Sequence, residues 1–206
     1  MLARSIGVFF WGFAVGALTV TLLVSRSSPL PPVSVAAKTA TRVVVDPEPR
    51  IGLPIAGLQA KDIQDTFSQL RGGTRLHEAT DILAPRGTPV LAVDAGTIKK
   101  LFTSKPGGLT VYQFDPSGVY CYYYAHLDRY GKNLKEGMAV NRGDVIGYVG
   151  TTGNADPNTP HLHFAIIKIG ALKRWWEGTA INPYPFLIEA LTKAPPRSQP
   201  KRQRGD

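Results

Sequence analysis

Cysteine is nearly absent: the chain has one, Cys121, among 206 residues. This excludes an internal disulfide framework and a Cys-rich metal site. Its position in an aromatic, strand-like run makes a buried structural thiol the expected reading. Helical periodicity is also scarce, with short candidates only at Ala60–Leu70 and Tyr184–Thr192. The net charge of +9 suggests a nucleic-acid binder, but a folded basic face is missing. Between Ile51 and Ala190 there are 14 Lys/Arg against 12 Asp/Glu, and the flanks hold the other 10 basic and 3 acidic residues. Charge placed on such flanks suits an acidic polymer or an anionic lipid surface, and nucleic acid is not the expected partner.

Long apolar runs are confined to one. Ile6–Val24 holds 19 uncharged residues, about the length that crosses a hydrocarbon core roughly 30 Å thick. A cleavable signal peptide has a shorter apolar region followed directly by small residues. Here Ser25-Arg-Ser-Ser-Pro29 follows instead, so residues 6–24 are expected to form an uncleaved transmembrane signal anchor after a short N-terminus, 1–5. Arg4 and Arg26 lie on opposite sides of it, so flanking charge leaves its orientation open. Gly12 and Gly16 make a small-xxx-small pair that would let two such helices pack as a dimer, although chance gives the same spacing. Residues 25–50, rich in Pro, Ser, Val and Ala, read as an extended linker, and residues 191–206 as a disordered basic tail.

What is abundant between these flanks is β-strand signal. Asp115-Pro-Ser-Gly118 is turn chemistry between Leu109–Phe114 and Val119–His126. Val90–Ile98, Val145–Val149 and His161–Ile169 add short apolar runs, and the segments 86–98 and 136–150 echo each other. The expected fold is mainly β: a compact antiparallel sheet, barrel-like or sandwich-like, over residues 51–190.

All four histidines fall in three short segments. In His77-Glu-Ala-Thr-Asp81 a spacing of four puts imidazole and carboxylate on one side of a helix or a strand, and the following Ile82-Leu-Ala-Pro-Arg-Gly87 favours extended structure. In a strand, His161 and His163 share one face while Leu162, Phe164 and Ile166 share the other, the core face. The third segment is Tyr122-Tyr-Tyr-Ala-His126-Leu127, where strict alternation places His126 with Tyr120, Tyr122 and Tyr124. A lone histidine of this kind is more often a hydrogen-bonded structural residue; its weight comes from the company of the other two segments.

Imidazole and carboxylate suit zinc, and three protein ligands with an open fourth position define a catalytic zinc site. An ion held this way keeps net positive charge, polarises carbonyls and brings the pKa of a bound water to about 7. Four histidines and one such aspartate exceed the three ligands required. The surplus would carry protons or donate hydrogen bonds.

With these residues the chain resembles the lysostaphin/LytM-like zinc endopeptidases, which cut peptidoglycan cross-bridges. That family carries H-x-G-x-D, a separate strand histidine and H-x-H, in this order. Here His77-Glu-Ala-Thr-Asp81, His126 and His161-Leu-His163 follow that order, and Gly143-Asp-Val-Ile-Gly-Tyr-Val-Gly150-Thr-Thr-Gly153 is similar to its glycine-rich segment. The resemblance implies that His77, Asp81 and His163 bind zinc. It implies that His161 acts as, or positions, the general base and that His126 donates to the oxyanion. The implied groove is walled by loops 103–108, 151–160 and 170–180, with Trp175 and Trp176 as candidate substrate-binding residues. The implied substrate is the peptide of peptidoglycan, which puts the domain on the extracytoplasmic side of the cell membrane. Ala79 stands where the family has glycine, a departure that bears on loop geometry and substrate fit.

Three other readings compete. An H-E-x-x-D helix with Glu78 as base leaves three histidines without roles, and Pro85 and Gly87 follow too soon. A carrier of the lipoyl type lacks a hairpin lysine for attachment. A membrane-tethered, non-catalytic wall-binding scaffold, or an activator of another hydrolase, is the principal alternative; the full set of ligand and partner histidines argues against it.

Overall fold

The computed structural model describes residues 48–193. The expected transmembrane span with Gly12 and Gly16, most of the linker, and the tail from residue 194 lie outside the described residues. Within them, turn residues cut the chain into eleven strands. These are Leu70–Arg71 (β1), Arg75–Leu76 (β2), Thr80–Leu83 (β3), Pro89–Leu91 (β4), Gly96–Ser104 (β5) and Gly108–Phe114 (β6). Then follow Tyr120–Tyr130 (β7), Ala139–Val140 (β8), Val145–Val149 (β9), His161–Ile169 (β10) and Gly178–Ile181 (β11), and a helix, Tyr184–Lys193 (α1). β1 and β2 form a separate hairpin, and the other nine strands one sheet with the path β11-β10-β7-β6-β5-β8. β3 pairs with β10, and β9 bridges β4 and β7; every pairing is antiparallel. The mainly β, antiparallel expectation holds.

The expected helix over 60–70 does not form; only a single 3-10 turn, Ala60–Asp62, is present. Aspartate side chains compete for the backbone here: Asp62 accepts from Gln59 N at 2.9 Å and Asp65 from Phe67 N at 3.2 Å. Ile63 is instead drawn onto the sheet as a bridge to Ile82. The C-terminal helix forms as expected, burying Leu187 and Ala190.

Alternation in β10 sends Leu162, Phe164 and Ile166 into the core, each fully buried. Burial of each stabilises the fold by about 1.5–3 kcal/mol. They meet Ile82, Tyr124, Leu127 and Ile146 in one cluster. Tyr124 is fully buried, and its hydroxyl donates to Gln113 Oε1 at 2.9 Å and accepts from Val93 N at 3.0 Å. Cys121 is buried, and burial pushes its thiol pKa upward.

β7 departs from alternation at one point. Leu109 of β6 faces Leu127 while Val111 faces Tyr124, so Ala125 and His126 together oppose Thr110. This is a β-bulge, with His126 in the left-handed region at φ 58. Alternation placed His126 with Tyr122 and Tyr124; the extra residue carries it to the opposite face, beside Tyr123 and Ala125, while Leu127 returns to the core.

Candidate metal centre

Asp81 in β3 and His163 in β10 are direct cross-strand partners, so register alone puts carboxylate and imidazole side by side. His77 precedes β3, and Glu78 between them takes a left-handed conformation at φ 57. Ala79, which stands where the family motif has glycine, is not among the positive-φ residues; its methyl is fully buried. The glycine-like backbone therefore lies one residue earlier than the motif suggests.

Three atoms able to bind a metal ion converge. His77 Nε2 lies 3.0 Å from Asp81 Oδ1 and 3.0 Å from His163 Nδ1, and His163 Nδ1 lies 3.1 Å from Asp81 Oδ1. A tetrahedral zinc with bonds of about 2.0–2.1 Å holds its ligand atoms roughly 3.3 Å apart, so the triangle has the size of such a coordination face. Protonation makes the same point. His77 Nδ1 sits 3.0 Å from the Thr66 carbonyl, which can only accept, so the proton is on Nδ1 and neutral His77 presents a lone pair at Nε2. Lone pair and carboxylate then face one another, and a cation relieves that repulsion.

Thr66 organises this motif from outside. Its Oγ1 lies 3.1 Å from His77 Nδ1, accepts from Asp81 N at 3.2 Å and donates to Ala79 O at 3.3 Å. Arg71 Nη2 donates to Asp81 Oδ2 at 2.6 Å, leaving Oδ1 for the triangle. Burial raises the Asp81 pKa, but neighbouring His163 and His77, through the hydrogen bonds they donate and the positive charge they carry when protonated, outweigh it and hold the carboxyl well below the usual range. Burial lowers the His163 pKa, against the opposing pull of Asp81.

The other two histidines flank the triangle. Ring centroids of His126 lie 4.9 Å from His161 and 5.6 Å from His163, and His161 Nε2 is 3.8 Å from Asp81 Oδ1. Each is fixed through Nδ1 by a carbonyl: His126 by Thr152 O at 2.8 Å, His161 by Thr159 O at 2.9 Å. In the neutral rings Nε2 is therefore an acceptor. Burial pushes the His126 pKa down to about 4, the Thr152 bond opposing it and the neighbouring His163 and His161 adding to it.

These groups line an open cavity of about 670 Å³. Two of its walls are the expected ones, Pro106–Gly107 and the segment with Asn154, Asp156 and Thr159. The third is not residues 170–180 but the β1–β2 hairpin, through Arg71 and Arg75.

Residues 75–183 match the family model of peptidase family M23, more than half of the chain. The chain belongs to peptidase family M23. Among curated M23-like relatives, an L-Ala–D-Glu endopeptidase of Bacillus subtilis is 36% identical over 121 residues, covering 56% of this chain and 36% of that protein. A peptidoglycan DD-endopeptidase of Vibrio cholerae is 35% identical over 102 residues, covering 50% of this chain and 22% of that protein. The chain thus spans about a third or less of these relatives' lengths. Among solved structures, the antimicrobial peptidase lysostaphin from Staphylococcus simulans is similar at 30% identity and a TM-score of 0.55, covering 70% of this chain and 56% of that one.

In this M23 domain Trp175 and Trp176 are not among the residues that line the histidine cavity. Trp175 reaches it only indirectly, through Tyr112, whose ring packs on Tyr123 of the cavity wall at 4.7 Å. Trp175 packs on Phe102 and Tyr112, and exposed Trp176 packs on Trp175. The cavity wall that alternation hid is Tyr123, whose ring lies 5.8 Å from His163. Thr66 and Arg71 precede the family match and belong to no motif; only the fold brings them to the ligands.

Proposed function

We propose that the chain is a zinc-dependent endopeptidase that hydrolyses peptide bonds in peptidoglycan cross-links at the cell envelope. The observation that carries this reading is the triangle of His77, Asp81 and His163 ligand atoms at 3.0–3.1 Å, flanked by two carbonyl-anchored imidazoles. Bound zinc would polarise the scissile carbonyl and acidify the attacking water. His161, with Nε2 an acceptor beside the ligands, takes the proton of that water and returns it to the leaving amine. His126 hydrogen-bonds the developing oxyanion only once its Nε2 has taken a second proton, drawn from solvent through the open cavity. Burial keeps it neutral beforehand, and negative charge on the carbonyl oxygen then favours protonation.

The uncharged residues 6–24 support a single-pass membrane anchor, with residues 51–190 as the peptidase domain on the extracytoplasmic side, where the substrate lies. Metal analysis should return close to one zinc per chain, and His163→Ala should lose it. His126→Ala and His161→Ala should retain zinc yet lose cleavage of purified sacculi; wild-type rates in either variant remove that residue from the mechanism. Intact sacculi at every zinc loading would favour the tethered wall-binding scaffold. The two curated relatives differ by name in the bond they cut, so the choice of bond depends on the walls of this chain's own groove.

A further inference from the structure

The hairpin wall of the cavity carries an electrostatic conflict. Arg71 of β1 and Arg75 of β2 are direct cross-strand partners, and both line the cavity. Directly opposed side chains have Cβ atoms about 4.5–5.5 Å apart, and like charges there are destabilising. The tight turn through Gly72 and Gly73, both at positive φ, fixes this register.

The two guanidinium groups are unequally satisfied. Arg71 reaches Asp81 Oδ2 at 2.6 Å, but its Nε is buried without a hydrogen-bond partner. Arg75 makes one long contact, 3.4 Å to the carbonyl of adjacent Leu76, and has no carboxylate partner among the described residues. Each planar guanidinium presents donors matched to a carboxylate, frequently in bidentate geometry. The only other acid lining the cavity is Asp156, whose Oδ1 already accepts from Asn158 N at 2.8 Å. The protein thus supplies two cations to this wall and, through Asp81, an anion for only one.

We propose that Arg75, with Arg71 beside it, forms a carboxylate-binding subsite, so that the peptide cleaved here carries a free carboxylate close to the scissile bond. The inference rests on the endopeptidase reading and narrows it: an acidic peptide fits this wall, whereas a neutral glycine bridge leaves the arginine pair unrelieved. A carboxylate offers the acceptor that Arg75 lacks and screens the repulsion between the two guanidinium groups. Conversion to carboxamide removes the charge and adds a donor facing donors.

The test uses the full chain in detergent with zinc and four synthetic peptides of matched length. One is an acidic stem peptide with a free side-chain carboxylate and a free C-terminus. Two others carry a carboxamide at the side chain or at the C-terminus, and the fourth is pentaglycine. Equilibrium binding by calorimetry is measured alongside kcat/KM. Amidation of the group that enters the subsite should weaken binding by roughly tenfold or more, the worth of one charge-assisted hydrogen bond. Which amide loses affinity identifies the side chain or the C-terminus as the source. Arg75→Ala should bring the carboxylate-to-carboxamide ratio close to one by raising the Kd of the acidic peptide, Arg75→Lys should keep part of the preference, and Arg75→Glu should invert it. Equal binding of all four peptides, or an unchanged preference in Arg75→Ala with zinc content preserved, overturns the subsite. Binding preference without cleavage overturns the endopeptidase reading and leaves the subsite standing; cleavage without preference does the reverse.

Discussion

Replacing Thr66 by valine keeps the side chain's volume and removes a hydroxyl that touches His77 Nδ1, Asp81 N and Ala79 O within 3.1–3.3 Å. Outer-shell groups of this kind typically alter metal affinity by roughly 10–100-fold. The Thr66 carbonyl still holds His77 in the variant, so the expected loss in Thr66→Val is near tenfold, read by competition with a zinc chelator. An unchanged affinity would assign the orientation of both ligands to backbone alone. His126 gives a pH prediction. Its folded pKa, about 4, lies below the ordinary value of 6.5, so between these limits the unfolded chain binds a proton that the folded chain does not. Stability therefore rises with pH across that window and falls on acidification. Thermal melts in EDTA should show this slope, and His126→Gln should flatten it. At this scale the candidate ligand set was legible because His77–Asp81 and His161–His163 are each short motifs. The face of His126 was not, since Tyr-Tyr-Tyr-Ala-His-Leu contains no glycine to announce a positive φ. Thr66 is eleven residues from His77 with no periodic relation to it, so sequence carried no sign of its contact.

Among the elements, the β5–β6 hairpin is locked onto the 151–154 segment that positions His126. A Cβ on Gly108 would stand 2.1 Å from Thr152 Oγ1 and 2.4 Å from the Thr152 carbonyl carbon, at φ 64. Thr152 Oγ1 accepts from Leu109 N at 2.9 Å and donates to Leu127 O at 2.7 Å, so displacing it disturbs both strands and the carbonyl behind His126. Gly108→Ala is expected to cost more than about 2 kcal/mol of stability and to reduce cleavage. Gly137→Ala isolates the backbone contribution: it has φ 79 with nothing within 4 Å of the added methyl, for an expected cost of about 1 kcal/mol. Denaturant titration compares the two, and equal losses would mean that the Thr152 contact yields without strain. Strands bounded by strong turn chemistry were legible, as Asp115-Pro-Ser-Gly118 shows. β11 was not, because Gly178–Ile181 is only four residues long, half exposed and without alternation of its own, although it pairs with the strand just before it, β10. The third wall of the groove was missed for the same reason: two-residue strands carry no periodicity.

Across the whole molecule, charge segregates. The stretch 51–190 is nearly balanced, and the basic excess lies before and after it. If residues 6–24 anchor the chain, alkaline carbonate washing of membranes should leave it in the pellet, while high salt alone should not release it. Recovery in the supernatant would remove the anchor from the account. Segregation of this kind was readable by counting, since it needs no fold. The family was readable too, because its residues are local motifs in a fixed order. The third wall of the cavity was less so: Arg71 and Arg75 enter it through a hairpin that the motifs do not include.

The extra residue in β7 is a half-period slip, leaving the strand before it out of phase with the strand after it. A side chain reached through such a slip answers to insertion and deletion differently from its neighbours. Without Ala125, the histidine would directly follow Tyr124 and alternation alone would point it into the cavity. It would stand opposite His163 in the ladder, where Ala125 stands now, about 3.3 Å from its present place along the strand. Compared with a chain lacking Ala125, the slip thus sets how far along the groove the imidazole acts. That is an adjustment in steps of one residue, which no substitution can make, so variation in reach among such sites should follow strand length before it follows side-chain chemistry.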